Sequence, residues 1–127
     1  MHVFSVPGVV NANGFGTLFT CSSASSSDTT LGVEVFGPAG GASLNDADAT
    51  SLVVPPSGTV RFATTPTAQS IVDGHLVVPT VLRGSARVLA TTSKGLLCSA
   101  FLADAASVPT TSMVSLPVVR KTTQQGD

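Results

Sequence analysis

The sequence predicts an all-β domain, an antiparallel two-sheet sandwich of seven to eight strands. Three observations carry that expectation. Apolar residues recur at every second position over short runs, the period of strands. No stretch shows the 3.6-residue repeat of an amphipathic helix. Clusters of Gly, Pro, Asn and Ser separate the runs at turn spacing. A chain of 127 residues supplies one two-layer core, and two such cores would not fit.

The elements follow in order. Val3 to Ala12 is apolar and contains Pro7 and Gly8. Asn13-Gly14 is a favoured pair for a type I′ turn, so this segment is expected to fold back on the next strand. Pro7 confines it to an edge or a bulge, and residues 1–14 read as an apolar N-terminal arm or edge strand suited to pairing with another subunit. Along Phe15 to Ser22, Phe15, Thr17, Phe19 and Cys21 face one way, with Phe19 and Cys21 in the core. The polar run SSASSSDTT is a loop. Leu31, Val33 and Val35 then alternate with Gly32, Glu34 and Phe36 until Gly37-Pro38 ends the strand.

A small-residue connector over 40–50 carries Asn45, Asp46 and Asp48. Leu52 to Val54 is a short strand closed by Pro55-Pro56 and the turn Ser57-Gly58, and Val60 and Phe62 point inward on the strand after it. Residues 64–70 form a Thr/Pro loop, and 71–82 an irregular apolar crossing broken by Asp73-Gly74 and Pro79. Gly84 to Asp104 reads as a β-hairpin, with Ala86, Val88 and Ala90 alternating in one arm and Cys98, Ala100 and Leu102 in the other. Ser93, Lys94 and Gly95 supply its turn. After a loop over 105–111, Met113 to Val119 makes a last strand interrupted by Pro117, hence an edge. The polar tail, 120–127, lacks any apolar residue and is expected to fray. The sandwich proper is 15–119.

The order TLFTCSS, LGVEVF, SLVVPPSGTVRF, GSARVLATTSKGLLCSAFLAD resembles the immunoglobulin-like β-sandwich modules of bacterial secreted and cell-surface proteins. In those, a strand is followed by a proline-rich turn and strand and then by a Gly-Ser-Ala hairpin. The resemblance covers residues 15–104 and implies an immunoglobulin-like sandwich. The chain lacks the Trp and the Tyr that mark antibody-like domains.

Composition bounds the function. Charged residues are 10% of the chain against roughly 25% in ordinary globular proteins, and the formal net charge is −1. That gives no electrostatic drive toward nucleic acid. Residues 1–60 hold four acids (Asp28, Glu34, Asp46, Asp48) and no Lys or Arg, and residues 61–127 hold all six bases and three acids. A surface rich in hydroxyls and poor in charge suits an extracellular β-domain; it also lacks the charge spacing that keeps copies apart. No run reaches the roughly 18 apolar residues that a bilayer crossing needs, so no membrane insertion is expected. The run after Met1 has neither a basic n-region nor a small-residue cleavage site.

Cys21 and Cys98 are the only cysteines, without the clustered spacing of a metal site. They form either an inter-sheet disulfide, which an oxidising compartment would support, or two buried free thiols. His2 and His75 are the only histidines. His75 follows Asp73-Gly74 in a turn and reads as a solvated loop residue, with no nucleophile elbow near it. Asn45, Asp46 and Asp48 offer alternate oxygens but lack the glycine and distal Glu of a calcium loop. Sugar stacking wants Trp or Tyr, and neither occurs.

The expectation is therefore a non-enzymatic extracellular structural subunit or module of a surface assembly, such as a filament. It would have no cofactor, no nucleic-acid partner and no small-molecule substrate, and its partner would be a further copy of itself. Val3, Phe4, Val6, Val9 and Val10 at one end of the chain and Met113, Val114 and Leu116 at the other are the expected assembly residues, because edge segments without charge pair readily. The alternative is a monomeric secreted binding or spacer domain that meets a protein partner through its loops.

Overall fold

Runs that alternate apolar and polar side chains become strands whose apolar sides meet in one interior. The computed structural model describes residues 1–64, 72–104 and 113–121. Its strands are β1 (His2–Asn11), β2 (Phe15–Ser23), β3 (Thr29–Phe36), β4 (Leu52–Val54), β5 (Thr59–Ala63), β6 (Gly74–His75), β7 (Val81–Ala90), β8 (Leu96–Asp104), β9 (Met113–Leu116) and β10 (Val119–Arg120). Among the described residues there is no helix. The expected loops over 65–70 and 105–111, and the tail beyond 121, lie outside the described residues.

The strands form two five-stranded sheets, β10-β1-β7-β3-β4 and β6-β5-β2-β8-β9. All neighbours are antiparallel except β5 and β6, a parallel contact at Phe62↔Gly74 and Ala63↔His75. Ten strands exceed the expected seven to eight. Two-residue segments such as β6 and β10 are too short to show an alternation, and Pro117 splits the last expected strand between two sheets.

Phe19, Cys21, Phe62, Leu96 and Ala100 from the second sheet pack against Val3, Val6, Val9, Leu31, Val33, Val35 and Val88 from the first. Each fully buried Val, Leu or Phe contributes about 1.5–3 kcal/mol, so this interior is the main stabilising term. A small second cluster, Leu18, Ala63 and Ala103 with Val72 against it, is separate from that interior.

The Asn13-Gly14 turn forms as its residues require. Both have positive φ, 57° and 81°, as a type I′ turn demands, and Ala12 and Phe15 exchange two backbone hydrogen bonds across it. Past this point β1 and β2 diverge into different sheets. The Thr17 hydroxyl then takes the place of a strand partner, accepting from the Val10 N–H at 3.0 Å and donating to the Val10 carbonyl at 2.9 Å. Pro7 sits at a bulge, where Gly8 has φ 83° and the register with β7 shifts between Pro7 and Val9.

Three expectations need correction. The stretch from Gly84 to Asp104 is not a hairpin: β7 pairs with β1 and β3, and β8 pairs with β2 and β9. Residues 91–95 cross from one sheet to the other. The Thr91 N–H bonds to the Thr30 carbonyl on one side, and the Gly95 carbonyl accepts from the Ala24 N–H on the other. Alternation shows that both arms have an apolar side, and two apolar sides can meet across a core as well as beside each other in a sheet.

The second correction concerns the disulfide. Cys21 and Cys98 are bonded, but within one sheet, as directly opposed partners on β2 and β8 with their Cα atoms 4.1 Å apart. The third concerns the C-terminal tail, which does not fray from residue 120. Arg120 pairs with Phe4, and the Lys121 N–H donates to the Val3 carbonyl at 2.8 Å. The Arg120 guanidinium also donates to the carbonyls of Ser93 and Leu96 and lies 4.6 Å over the Phe4 ring.

Candidate functional site

The chain offers two kinds of feature that a partner could use: the edges of its sheets, and a cleft at one end of the sandwich. The expected assembly residues divide between interior and edge. Val3, Phe4, Val6 and Val9 are buried in the interior on β1, which runs between β10 and β7. Val10 is half-buried, and its backbone is held by Thr17. Val114 is 59% exposed, and Leu116 is half-buried against the core. Met113 pairs with Ala103. The three C-terminal residues therefore lie together on β9, an edge strand of the second sheet.

Two sheet edges carry side chains in place of a neighbouring strand. β4 covers β3 only at Thr29, Thr30 and Leu31. Farther along, the Asn45 amide does the same work: its oxygen accepts from the Val35 N–H and its nitrogen donates to the Val33 carbonyl, both at 2.8 Å. The Leu44 N–H adds a bond to the Val35 carbonyl. At the other sheet's β5–β6 edge, the Asp73 carboxylate accepts from the Arg61 N–H at 2.9 Å, and the Asp73 N–H returns a bond to the Arg61 carbonyl. An open strand edge invites pairing, and such devices close it.

Sequence reasoning missed Asn45 and Arg120 because one stood in a flexible connector and the other in a polar tail. A usable signal was present for each. Asn45 follows Leu44, an apolar residue that has to reach the body, and Arg120 follows the apolar pair Val118-Val119.

Asn45, Asp46 and Asp48 do not converge as a ligand set. The Asn45 oxygen faces the β3 backbone, and one Asp46 carboxylate oxygen accepts from the N–H groups of Asp48 and Ala49 at 3.2 Å. Among the described residues no group of three or more His, Cys, Asp or Glu is placed to hold a metal ion. The histidines are on different sheets. His2, on β1, is hydrogen-bonded to the Ser5 hydroxyl at 2.8 Å, and its pKa is lowered by burial and then by the nearby charges of Arg87 and Lys121. His75 is exposed on β6.

The cleft, about 390 Å³, lies against Gly37, Pro38, Leu44, Pro79, Val81 and Leu82. It is open and largely apolar, with Thr80 and Arg83 also lining it, and is of the size class that small ligands or a partner's side chains fill. No helix among the described residues is long and apolar enough to cross a membrane. A scan against protein-family models found no match to this chain, and searches of curated proteins and of solved structures found none either.

Proposed function

We propose that this chain is a non-enzymatic structural subunit or module of an extracellular surface assembly, such as a filament, built on an immunoglobulin-like sandwich and associating with copies of itself through its sheet edges. One observation carries the reading. The surface is poor in charge, 10% of all residues, yet it exposes Val53, Val77, Leu82, Leu97, Val114 and Val119. Charge is the usual means by which monomers stay apart, and exposed apolar residues beside strand edges favour contact. The Cys21–Cys98 disulfide is consistent with an oxidising location.

Sedimentation velocity on the full chain, from micromolar to millimolar, together with negative-stain electron microscopy, tests the reading. Species larger than the 12.7 kDa monomer are expected to grow with concentration. A chain that stays monomeric throughout overturns it.

The cleft beside Leu44 and Leu82 favours a second reading, a monomeric secreted binding or spacer domain that meets a protein partner at one end of the sandwich. In that case the chain sediments as a monomer, and substituting Leu82→Glu abolishes partner capture without changing the melting temperature.

A further inference from the structure

We infer that the outer edge of β9 is an interface at which two copies of this chain pair, antiparallel and centred on Ser115, joining their five-stranded sheets into one of ten strands. The inference rests on the self-association proposed above and names one contact within it: a two-fold contact pairs copies and needs a second contact to extend into a filament.

The two sheets end in four edge strands, β10, β4, β6 and β9. At the β10 edge the strand has two residues, is followed by Lys121, and carries Arg120. β4 has three residues and runs into Pro55-Pro56, and the β3 backbone beyond it is covered by Leu44 and Asn45. β6 has two residues and follows the Asp73 carboxylate that closes on Arg61. Shortness, charge, proline and side-chain caps are the devices that keep edges from pairing.

β9, the longest of the four edge strands, is the least protected, although Pro117 follows it. Its four residues, MVSL, include no charge and no proline, and its register with β8 runs without a bulge from Ala100↔Leu116 to Ala103↔Met113. Among the described residues no strand pairs with its far side.

The register shows which backbone groups face outward. The 4.1 Å Cα separation of Cys21 and Cys98 is that of a non-hydrogen-bonded antiparallel pair. Alternation along β8 makes Phe101↔Leu18 a hydrogen-bonded pair toward β2, so Phe101↔Ser115 is a non-hydrogen-bonded pair. The Ser115 N–H and C=O therefore point away from β8, as do those of Met113.

A β-strand is the partner that satisfies such groups, and a second β9 fits them. With the two-fold axis at Ser115, the two serines exchange a pair of backbone hydrogen bonds. Val114 of each copy then lies opposite Leu116 of the other, which covers a side chain now 59% exposed. Pro117 falls opposite Met113, accepts from its N–H, and ends the ladder, having no N–H of its own.

An isologous pair brings like charge against like charge near its axis, and β9 has none. The antiparallel arrangement puts Arg120 and Lys121 of the two copies at opposite ends. The contact is small compared with stable interfaces, so association is weak and rises with concentration.

The test uses the full chain and three variants, by sedimentation equilibrium with thermal melts and amide exchange. Ser115→Pro removes an outward N–H that β8 does not use, and Val114→Lys adds a charge to the edge. Val53→Lys places the same charge on the exposed β4 edge. The expected result is a concentration-dependent dimer for the parent chain and for Val53→Lys, loss of the dimer in the other two with unchanged melting, and protection of the Ser115 amide only at high concentration.

If Ser115→Pro lowers the melting temperature, Val114→Lys alone decides. Assembly that survives Val114→Lys, or that Val53→Lys abolishes, overturns the β9 assignment and leaves self-association standing. A parent chain that is monomeric at every concentration overturns both. A Ser115 amide already protected in the dilute monomer shows the edge covered within one chain, and that also overturns the assignment.

Discussion

Replacing Asn45 by alanine tests whether a side chain can substitute for a strand. Its amide makes two hydrogen bonds of 2.8 Å to the β3 backbone, accepting from Val35 N–H and donating to Val33 C=O. Each such bond contributes about 0.5–1.5 kcal/mol net, and a buried group left unpaired costs about 1–3 kcal/mol. Asn45 is half-buried, so solvent recovers part of the loss and the expected cost is about 2 kcal/mol. With an unfolding entropy of about 2.1 cal/mol/K per residue, that lowers the melting temperature by about 7 °C.

Urea denaturation at constant m-value measures the stability, and thermal circular dichroism gives the melting point. Asn45→Asp keeps the acceptor but turns a carboxylate oxygen toward the Val33 carbonyl, so it should cost as much or more. Amide exchange at Val35 should accelerate in both variants, and the uncovered β3 edge should raise aggregation. A stability change below about 0.5 kcal/mol in Asn45→Ala, a value typical of plain surface substitutions, would refute the reasoning.

The Cys21–Cys98 bond spans 77 positions, so the double Cys→Ala variant should lose about 4 kcal/mol through the freer unfolded chain; equal urea midpoints for oxidised protein and variant would contradict this. Arg120→Ala removes two carbonyl contacts and the stacking on Phe4 and should cost about 1–2 kcal/mol, with Arg120→Lys recovering only part because an ammonium lacks the planar fork; full recovery by lysine would show that charge alone matters. Burial holds the His2 imidazole below its ordinary pKa of 6.5 in the folded chain, so the unfolded chain takes the proton first. Stability is then complete above that value and falls as pH drops through it toward the folded pKa, a decline that melts from pH 7.5 to 5 should show and His2→Gln should remove.

What was legible in the sequence was whatever a strand displays by itself. Leu31, Val33 and Val35 on β3, Phe19 and Cys21 on β2, and Val60 and Phe62 on β5 are all core residues, because period-two alternation is a property of one strand and its single buried face. Turn chemistry was equally local: Asn13-Gly14 adopts the conformation its residues favour. The edge character of the last strand followed from Pro117, and the structure places β9 at one sheet edge and β10 at another.

Pairing was not local. β7 and β8 alternate as hairpin arms do, yet they lie in opposite sheets, since a five-residue link serves a crossing as well as a turn and only the rest of the core decides between them. Cys21 and Cys98 both stand on alternating strands, but whether they bridge two sheets or two neighbours depends on β8 being the partner of β2.

Asn45 and Arg120 show the same limit from the polar side. A polar side chain in a connector or a tail looks solvated until distant backbone comes within hydrogen-bonding reach. By itself the sequence determined an all-β chain, its inward-facing residues and its turns, because these depend on neighbours along the chain. Tertiary structure alone decided which strands adjoin, where the disulfide lies and which edges carry a cap, because those depend on how two sheets share one interior.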